Sequence, residues 1–178
     1  MTQMTKLKNL NRIAVATALM VVCAWVSIPA PVPFTLQTFG VFLTAGLLGK
    51  NKGTTAVLVY ILLGVIGLPV FSGGRGGLGI VLGETGGYIM GFLPAAYICG
   101  AICEKNKKPL TLFASMVLGL VVCYVAGSIW AYFMFFKVGY AGVVAVLAKY
   151  VLSFIIPDLA KLALASFLVK EINKRGIF

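Results

Sequence analysis

The run PLTLFASMVLGLVVCYVAGSIWAYFMFF, residues 109–136, holds no Asp, Glu, Lys or Arg in 28 positions. A helix rises 1.5 Å per residue and needs about 20 residues to cross roughly 30 Å of hydrocarbon, so this run is long enough to span a bilayer and to tilt or protrude. The chain around it is of the same kind. Its 178 residues are 61% apolar and 11% charged, and a mean hydropathy of +1.04 lies outside the range of soluble domains. Working outward, similar runs predict six helices, over 10–28, 34–49, 53–70, 85–103, 109–136 and 145–172. The fold class is therefore all-α, a polytopic membrane bundle in one domain of residues 1–178. The second run is short and carries Thr35, Gln37, Thr38 and Thr44, so it is tilted, partly re-entrant, or lined on one side by protein or water. A cleaved secretory signal in place of the first helix is disfavoured. Ala30, Pro31 and Pro33 make a poor small-residue cleavage site, and further apolar runs follow.

Positive charge orients the bundle. Lys6, Lys8 and Arg12 precede the first run; Lys50 and Lys52 separate the second from the third; Lys105, Lys107 and Lys108 separate the fourth from the fifth; Lys170, Lys174 and Arg175 follow the sixth. The alternate connections hold no cation (29–33), Arg75 alone (71–84) and Lys137 (137–144). This asymmetry places both termini in the cytoplasm. The net charge of +11 is thereby absorbed by topology and by anionic lipid headgroups. Nucleic acid is not an expected partner, because no surface interleaves basic and aromatic residues.

The third connection opens the stretch FSGGRGGLGIVLGETGGYIMGF, residues 71–92, which contains a literal GxGxxG at Gly74, Gly76 and Gly79. A dinucleotide loop must follow a strand and open a helix where the cofactor is available, whereas this segment follows a membrane helix and faces outward. No GxxxxGK[ST] occurs in the chain, so it carries no phosphate loop for ATP hydrolysis, and no cofactor is expected. Glycine lets backbone approach a ligand closely, so the loop either walls a small-molecule site or is a plain connector. Arg75 and the helix start at Gly86 and Gly87 would both suit an anionic group.

In FIIPDLAKLAL, residues 154–164, Asp158 and Lys161 stand at i and i+3 on one helix face inside an apolar run. Counted back from Lys170, Lys161 lies about 13 to 14 Å deep and Asp158 about 18 Å. The pair either fixes helix packing or anchors a substrate, and ionisable groups at such depth favour the second. Pro157 adds a freed backbone carbonyl beside them.

Smaller signals follow. Ala14 and Ala18 form a small-xxx-small pattern that serves either internal packing or partner docking. Cys23, Cys99, Cys103 and Cys123 fall inside predicted helices of a chain with no histidine, which points to buried thiols and to no metal site. Trp130 and Tyr132 read as interfacial aromatics, with Trp130 also placed to stack on a ligand. Lys149 reads as a snorkelling side chain near the outer interface. Of the four acids, Glu104 and Glu171 lie in cytoplasmic basic clusters, leaving Glu84 and Asp158. No nucleophile with an activator, HExxH or GxSxG is present, so binding or transport is preferred to catalysis and no catalytic residue is assigned.

PVPFTLQTFGVFLTAGLLG (31–49), GLPVFSGGRGGLGIVLGETGGYIMGF (67–92) and PDLAKLALA (157–165) closely resemble BioY, the substrate-binding S component of energy-coupling-factor (ECF) biotin transporters. The resemblance covers nearly the whole chain. It implies a six-helix S-component bundle, multi-pass in a bacterial cell membrane, that binds biotin near its outer face. It also implies docking to a transmembrane coupling subunit and two cytoplasmic ABC ATPases, with reorientation in the membrane when coupled. Carried over, it implies ligand contacts at Arg75, Asp158 and Lys161, at Tyr88 of GGY, and at Thr35 and Gln37 of TLQ; Ala14 and Ala18 resemble the docking motif. Two departures stand out. Glu84 stands where proline is expected, and Arg75 where some relatives carry a neutral amide. Ile89 also follows Tyr88 where some relatives have arginine, so the positive group that meets a carboxylate is expected at Arg75.

Biotin's chemistry suits these residues. Its ureido group needs donors and acceptors, available at Asp158, Gln37 or Thr35; its sulfur ring suits Tyr88 or Trp130; its valerate needs a cation or N–H cluster, available at Arg75, Lys161 or the Gly86 and Gly87 amides. Which end meets which charge stays open at this level. The competing readings are an S component for another vitamin, a small intramembrane enzyme, and a channel.

Overall fold

Residues Gln37–Val65 would make a rod about 43 Å long if they formed one straight helix, yet Gln37 Nε2 lies 2.7 Å from the hydroxyl of Tyr60. The reversal is made at Gly49, whose φ of 75° and ψ of −172° interrupt the helical backbone. A side chain there would be strained in that conformation and would also overlap the Glu104 carboxylate. Glu104 Oε1 accepts the Lys50 amide at 3.1 Å and braces the turn. Helix α2 (Gln37–Val65) is thus a hairpin with arms over 37–48 and 50–65. Those arms correspond to the second and third predicted runs.

The computed structural model describes residues 3–28, 32–136 and 139–176. Helix α1 (Gln3–Trp25) is followed by a short antiparallel pair, β1 (Ser27–Ile28) and β2 (Phe34–Thr35), and then by α2. Beyond α2 come α3 (Leu78–Val81), α4 (Gly86–Lys105), α5 (Pro109–Ala131), α6 (Gly139–Leu147) and α7 (Ser153–Lys174). Among the described residues four segments are long and apolar enough to cross a membrane: Gln3–Trp25, Gly86–Lys105, Pro109–Met134 and Gly142–Lys174.

Several boundaries differ from expectation for identifiable reasons. Helix α1 starts at Gln3 rather than at 10, so Lys6, Lys8 and Arg12 lie within it. The second run begins at Gln37 because Phe34 and Thr35 are taken by strand pairing. The last run starts before 145: α6 and α7 are joined by a π-helical turn at Ala148–Leu152. Pro157 follows inside α7; it has no N–H for the Ser153 carbonyl, the group its missing donor leaves free one turn back. The expected connection at Lys137 lies outside the described residues, as do Ala30 and Pro31. The glycine-rich segment is no slack connector, since it folds into a 3₁₀ turn at Ser72–Gly74 and the single turn of α3.

Helix α4 packs most extensively on α5 and on α2, which also holds α1 and α7. The interior is built from Met20, Phe42, Tyr60, Phe71, Met116 and Leu162, all fully buried. The outer surfaces of α1 and α5 expose Val15, Val22, Leu118, Val121, Val125 and Ile129, as a lipid-facing surface does. The four cysteines are buried and free. Cys103 Sγ sits 3.1 Å from the Ser115 hydroxyl and 3.9 Å from Cys99 Sγ.

Candidate ligand-binding cavity

A cavity of about 310 Å³ opens between the start of α2, the glycine-rich segment, and the facing sides of α4, α5 and α7. Small-molecule sites run from roughly 300 to 1,000 Å³, so it suits a compact ligand. The π turn and Pro157 interrupt the regular ladder just before Asp158, at the point where α7 meets this cavity. Asp158 and Lys161 form a 2.8 Å ion pair with side chains only 3% and 13% exposed. Thr38 from α2 donates to Asp158 Oδ1 at 2.9 Å, and Tyr124 from α5 donates to Oδ2 at 2.6 Å. A buried charge is tolerated when it is paired and hydrogen-bonded in this way.

The other polar anchor is Gln37. Thr35 donates to its Oε1 at 3.1 Å and accepts its backbone N–H at 3.2 Å, while its Nε2 donates to Tyr60. One amide hydrogen of Gln37 is left over at the cavity wall. Tyr88 lies offset-stacked on Tyr150, with ring centroids 5.7 Å apart, and its hydroxyl pairs with Ser128 at 3.1 Å. These rings give the cavity an apolar flank of the kind a flat heterocycle packs against.

At the rim Arg75 is exposed and held by its own loop. Its Nε donates to the Ser72 carbonyl at 3.1 Å, and Phe71 N donates to the Arg75 carbonyl at 2.9 Å. Phe71 in turn wedges over Gly64 and meets Tyr60 edge-on. Among the described residues no carboxylate lies within ion-pair distance of Arg75. Glu84, on the same rim, is engaged elsewhere: Lys149 donates to Oε2 at 2.8 Å and the Tyr150 hydroxyl donates to the same oxygen. The Lys149 ammonium first, and the Tyr150 hydroxyl second, hold the Glu84 carboxyl below the usual carboxylate range. Lys149 is therefore no simple snorkelling residue. It ties the end of the glycine-rich segment to the turn before α7.

The sequence matches the BioY family over residues 1–177. The chain belongs to the BioY family. It is 48% identical over 122 residues to the biotin transporter BioY of Thermotoga maritima, covering 68% of this chain and 72% of that one. It is 37% identical over 170 residues to the probable biotin transporter BioY of Pyrococcus horikoshii, covering 94% and 98%. The fold superposes with a TM-score of 0.86 and 30% identity on the crystal structure of the S-component for biotin from an ECF-type ABC transporter, covering 98% of this chain and 95% of that one.

Of the residues expected to form a BioY ligand site, Thr35, Gln37, Arg75, Tyr88, Asp158 and Lys161 all line the one cavity. Gly86, Gly87 and Trp130 do not. The Gly86 N–H is spent on the Gly83 carbonyl at 3.0 Å, and a side chain at Gly86 would strike the Val81 carbonyl. The Trp130 side chain fills the space above Gly87, and its Nε1 donates to the Gly83 carbonyl at 3.0 Å. These three residues brace the glycine-rich segment against α5 and lie outside the cavity lining. The residues that sequence reasoning missed are Tyr124 and Tyr150, together with the role of Thr38. Tyr124 did carry one signal: a hydroxyl inside an apolar run needs a partner when buried. Ala14 and Ala18, by contrast, are exposed on α1, while Ala16, Thr17 and Met20 face inward.

Proposed function

We propose that this chain is the biotin-binding S component of an ECF vitamin-uptake transporter. It is embedded in the cell membrane and passes biotin across it by reorienting while docked to the coupling subunit and two cytoplasmic ATPases. It is not itself an enzyme; ATP is hydrolysed by the partners. In this reading the helices make six spans, counting each arm of α2 as one, with both termini cytoplasmic.

The observation that carries the ligand assignment is the division of charge along the cavity. The buried Asp158–Lys161 pair is neutral as a unit, whereas Arg75 at the rim is an exposed cation without an ion-pair partner among the described residues. A carboxylate is attracted to the uncompensated charge and a neutral ureido group to the compensated pair, which offers an acceptor and a donor side by side. Biotin accordingly enters ureido end first. Its fused rings rest on Tyr88 and Tyr150, Gln37 supplies a further N–H, and its valerate reaches back to Arg75.

Titration of purified full-length protein in detergent with biotin tests the assignment. Saturable one-to-one binding, with the ligand recovered chemically unchanged and not displaced by thiamine or riboflavin, is the expected result. Displacement by another vitamin but not by biotin would assign a different substrate, and turnover of the ligand would make the protein an enzyme.

A further inference from the structure

A carboxylate offers roughly four lone-pair sites, and three of those on Asp158 are occupied by the protein. Oδ1 receives the Lys161 ammonium at 2.8 Å and the Thr38 hydroxyl at 2.9 Å; Oδ2 receives the Tyr124 hydroxyl at 2.6 Å. The donors come from three separate elements. Lys161 sits on the same helix as Asp158 and alone would leave the carboxylate free to turn, because its terminal torsion is intrinsically broad. Thr38 and Tyr124 approach from α2 and α5 on opposite oxygens and remove that freedom. Two other cavity hydroxyls are engaged elsewhere: that of Tyr88 pairs with Ser128, and that of Tyr150 donates to Glu84.

Resting on the biotin reading above, we infer that Tyr124 and Thr38 are positioning residues that set ureido specificity. They aim the single remaining acceptor on Asp158 Oδ2 at one ureido N–H and leave none for a second. The two ureido nitrogens are then inequivalent. Methylation of the one facing Oδ2 removes the contact and places a methyl group against a rigid carboxylate, whereas methylation of the other leaves this contact intact.

Tyr124→Phe and Thr38→Val each delete one donor with little change of shape, and Thr38→Ser restores the hydroxyl. Dissociation constants of the purified full-length variants are measured for biotin and for its two ureido N-methyl isomers. Wild type is expected to favour one isomer over the other by about tenfold or more. Tyr124→Phe and Thr38→Val bind biotin about tenfold more weakly and lose most of the discrimination between isomers, and Thr38→Ser keeps both properties. The inference is overturned if wild type does not distinguish the isomers, if the two variants bind biotin as wild type does, or if they weaken all three ligands by one common factor. Should Tyr124→Phe fail to fold, the Val and Ser variants at Thr38 decide the matter. Absence of biotin binding by wild type would overturn the functional reading itself, an outcome distinct from all of these.

Discussion

At the scale of single residues, the proposed biotin site divides recognition between Asp158 and Arg75, and a pair of ligands separates them. Asp158→Asn keeps the shape and the Thr38 and Tyr124 neighbours but removes the charge that strengthens a ureido N–H bond. Bonds to charged groups contribute about 1.5 to 3 kcal/mol, so biotin and neutral biotinamide are both expected to bind at least about tenfold more weakly. Arg75→Ala is expected to weaken biotin by a similar factor and leave biotinamide unchanged, because the amide has no charge to lose. Calorimetric titration of both ligands against both variants reads this directly. If Arg75→Ala binds biotin as wild type does, Arg75 is removed from the proposed site. The Asp158–Lys161 pair was legible in the sequence because two charges inside an apolar run have few ways to be tolerated. Thr38 and Tyr124 were not, since the partners of a single hydroxyl depend on contacts spanning 120 and 34 residues of chain.

At the scale of elements, the long helices could be read from apolar runs, whereas the connections could not. A glycine-rich sequence has no strong local preference, so the 3₁₀ turn at Ser72–Gly74 and the turn of α3 arise from tertiary anchors: Phe71 over Gly64, Trp130 on Gly83, and Glu84 on Lys149. The last of these joins Glu84 on the rim to the turn before α7, and we propose that it acts as a latch on the cavity. Its strength is bounded by exposure, with the two side chains 37% and 46% accessible; such a pair is worth about 0.2 to 1 kcal/mol. Glu84→Gln is therefore expected to speed release of bound biotinamide at neutral pH by no more than about fivefold, as measured by filter or stopped-flow dissociation. The pH dependence follows in sign. Because the folded carboxyl is held below its ordinary value, chiefly by Lys149, the contact is fully present above the unfolded carboxylate value of about 4.3 and is lost as pH falls through the lowered folded value. Wild-type release stays flat from neutral pH down to that region and rises below it; Glu84→Gln shows no such rise. Biotinamide is the probe of choice because biotin's own carboxyl titrates in the same window. A wild-type profile matching that of Glu84→Gln would remove the latch.

For the whole molecule, the sequence showed an alternation of basic and nearly uncharged connections, and the structure gathers several of the basic ones at one end. The Lys50 amide meets Glu104, and Lys107 meets Asn173 at 2.9 Å, so the α2 turn, the α4–α5 connection and the end of α7 lie together. The cavity is walled instead by the glycine-rich segment and the start of α2. A binding subunit built this way needs a partner surface separate from its ligand site if it is to move as a body, and we propose that α1 supplies it. Its inward face is tied to α2 by the Thr17 hydroxyl, which donates to the Ala56 carbonyl at 3.2 Å. Ala14 and Ala18 stand exposed on the other side, and small side chains there let a partner helix approach closely. Neither lines the cavity. Replacing both by tryptophan leaves the inward packing and the ligand site intact, so the biotin dissociation constant of the purified variant should stay within about twofold of wild type, well inside 1 kcal/mol. Biotin uptake by cells that also express the coupling subunit and ATPases should fall to background, and co-purification of those subunits should be lost. Normal uptake by the double variant would move the docking surface off this face of α1; loss of binding together with uptake would show that α1 supports the site rather than the assembly.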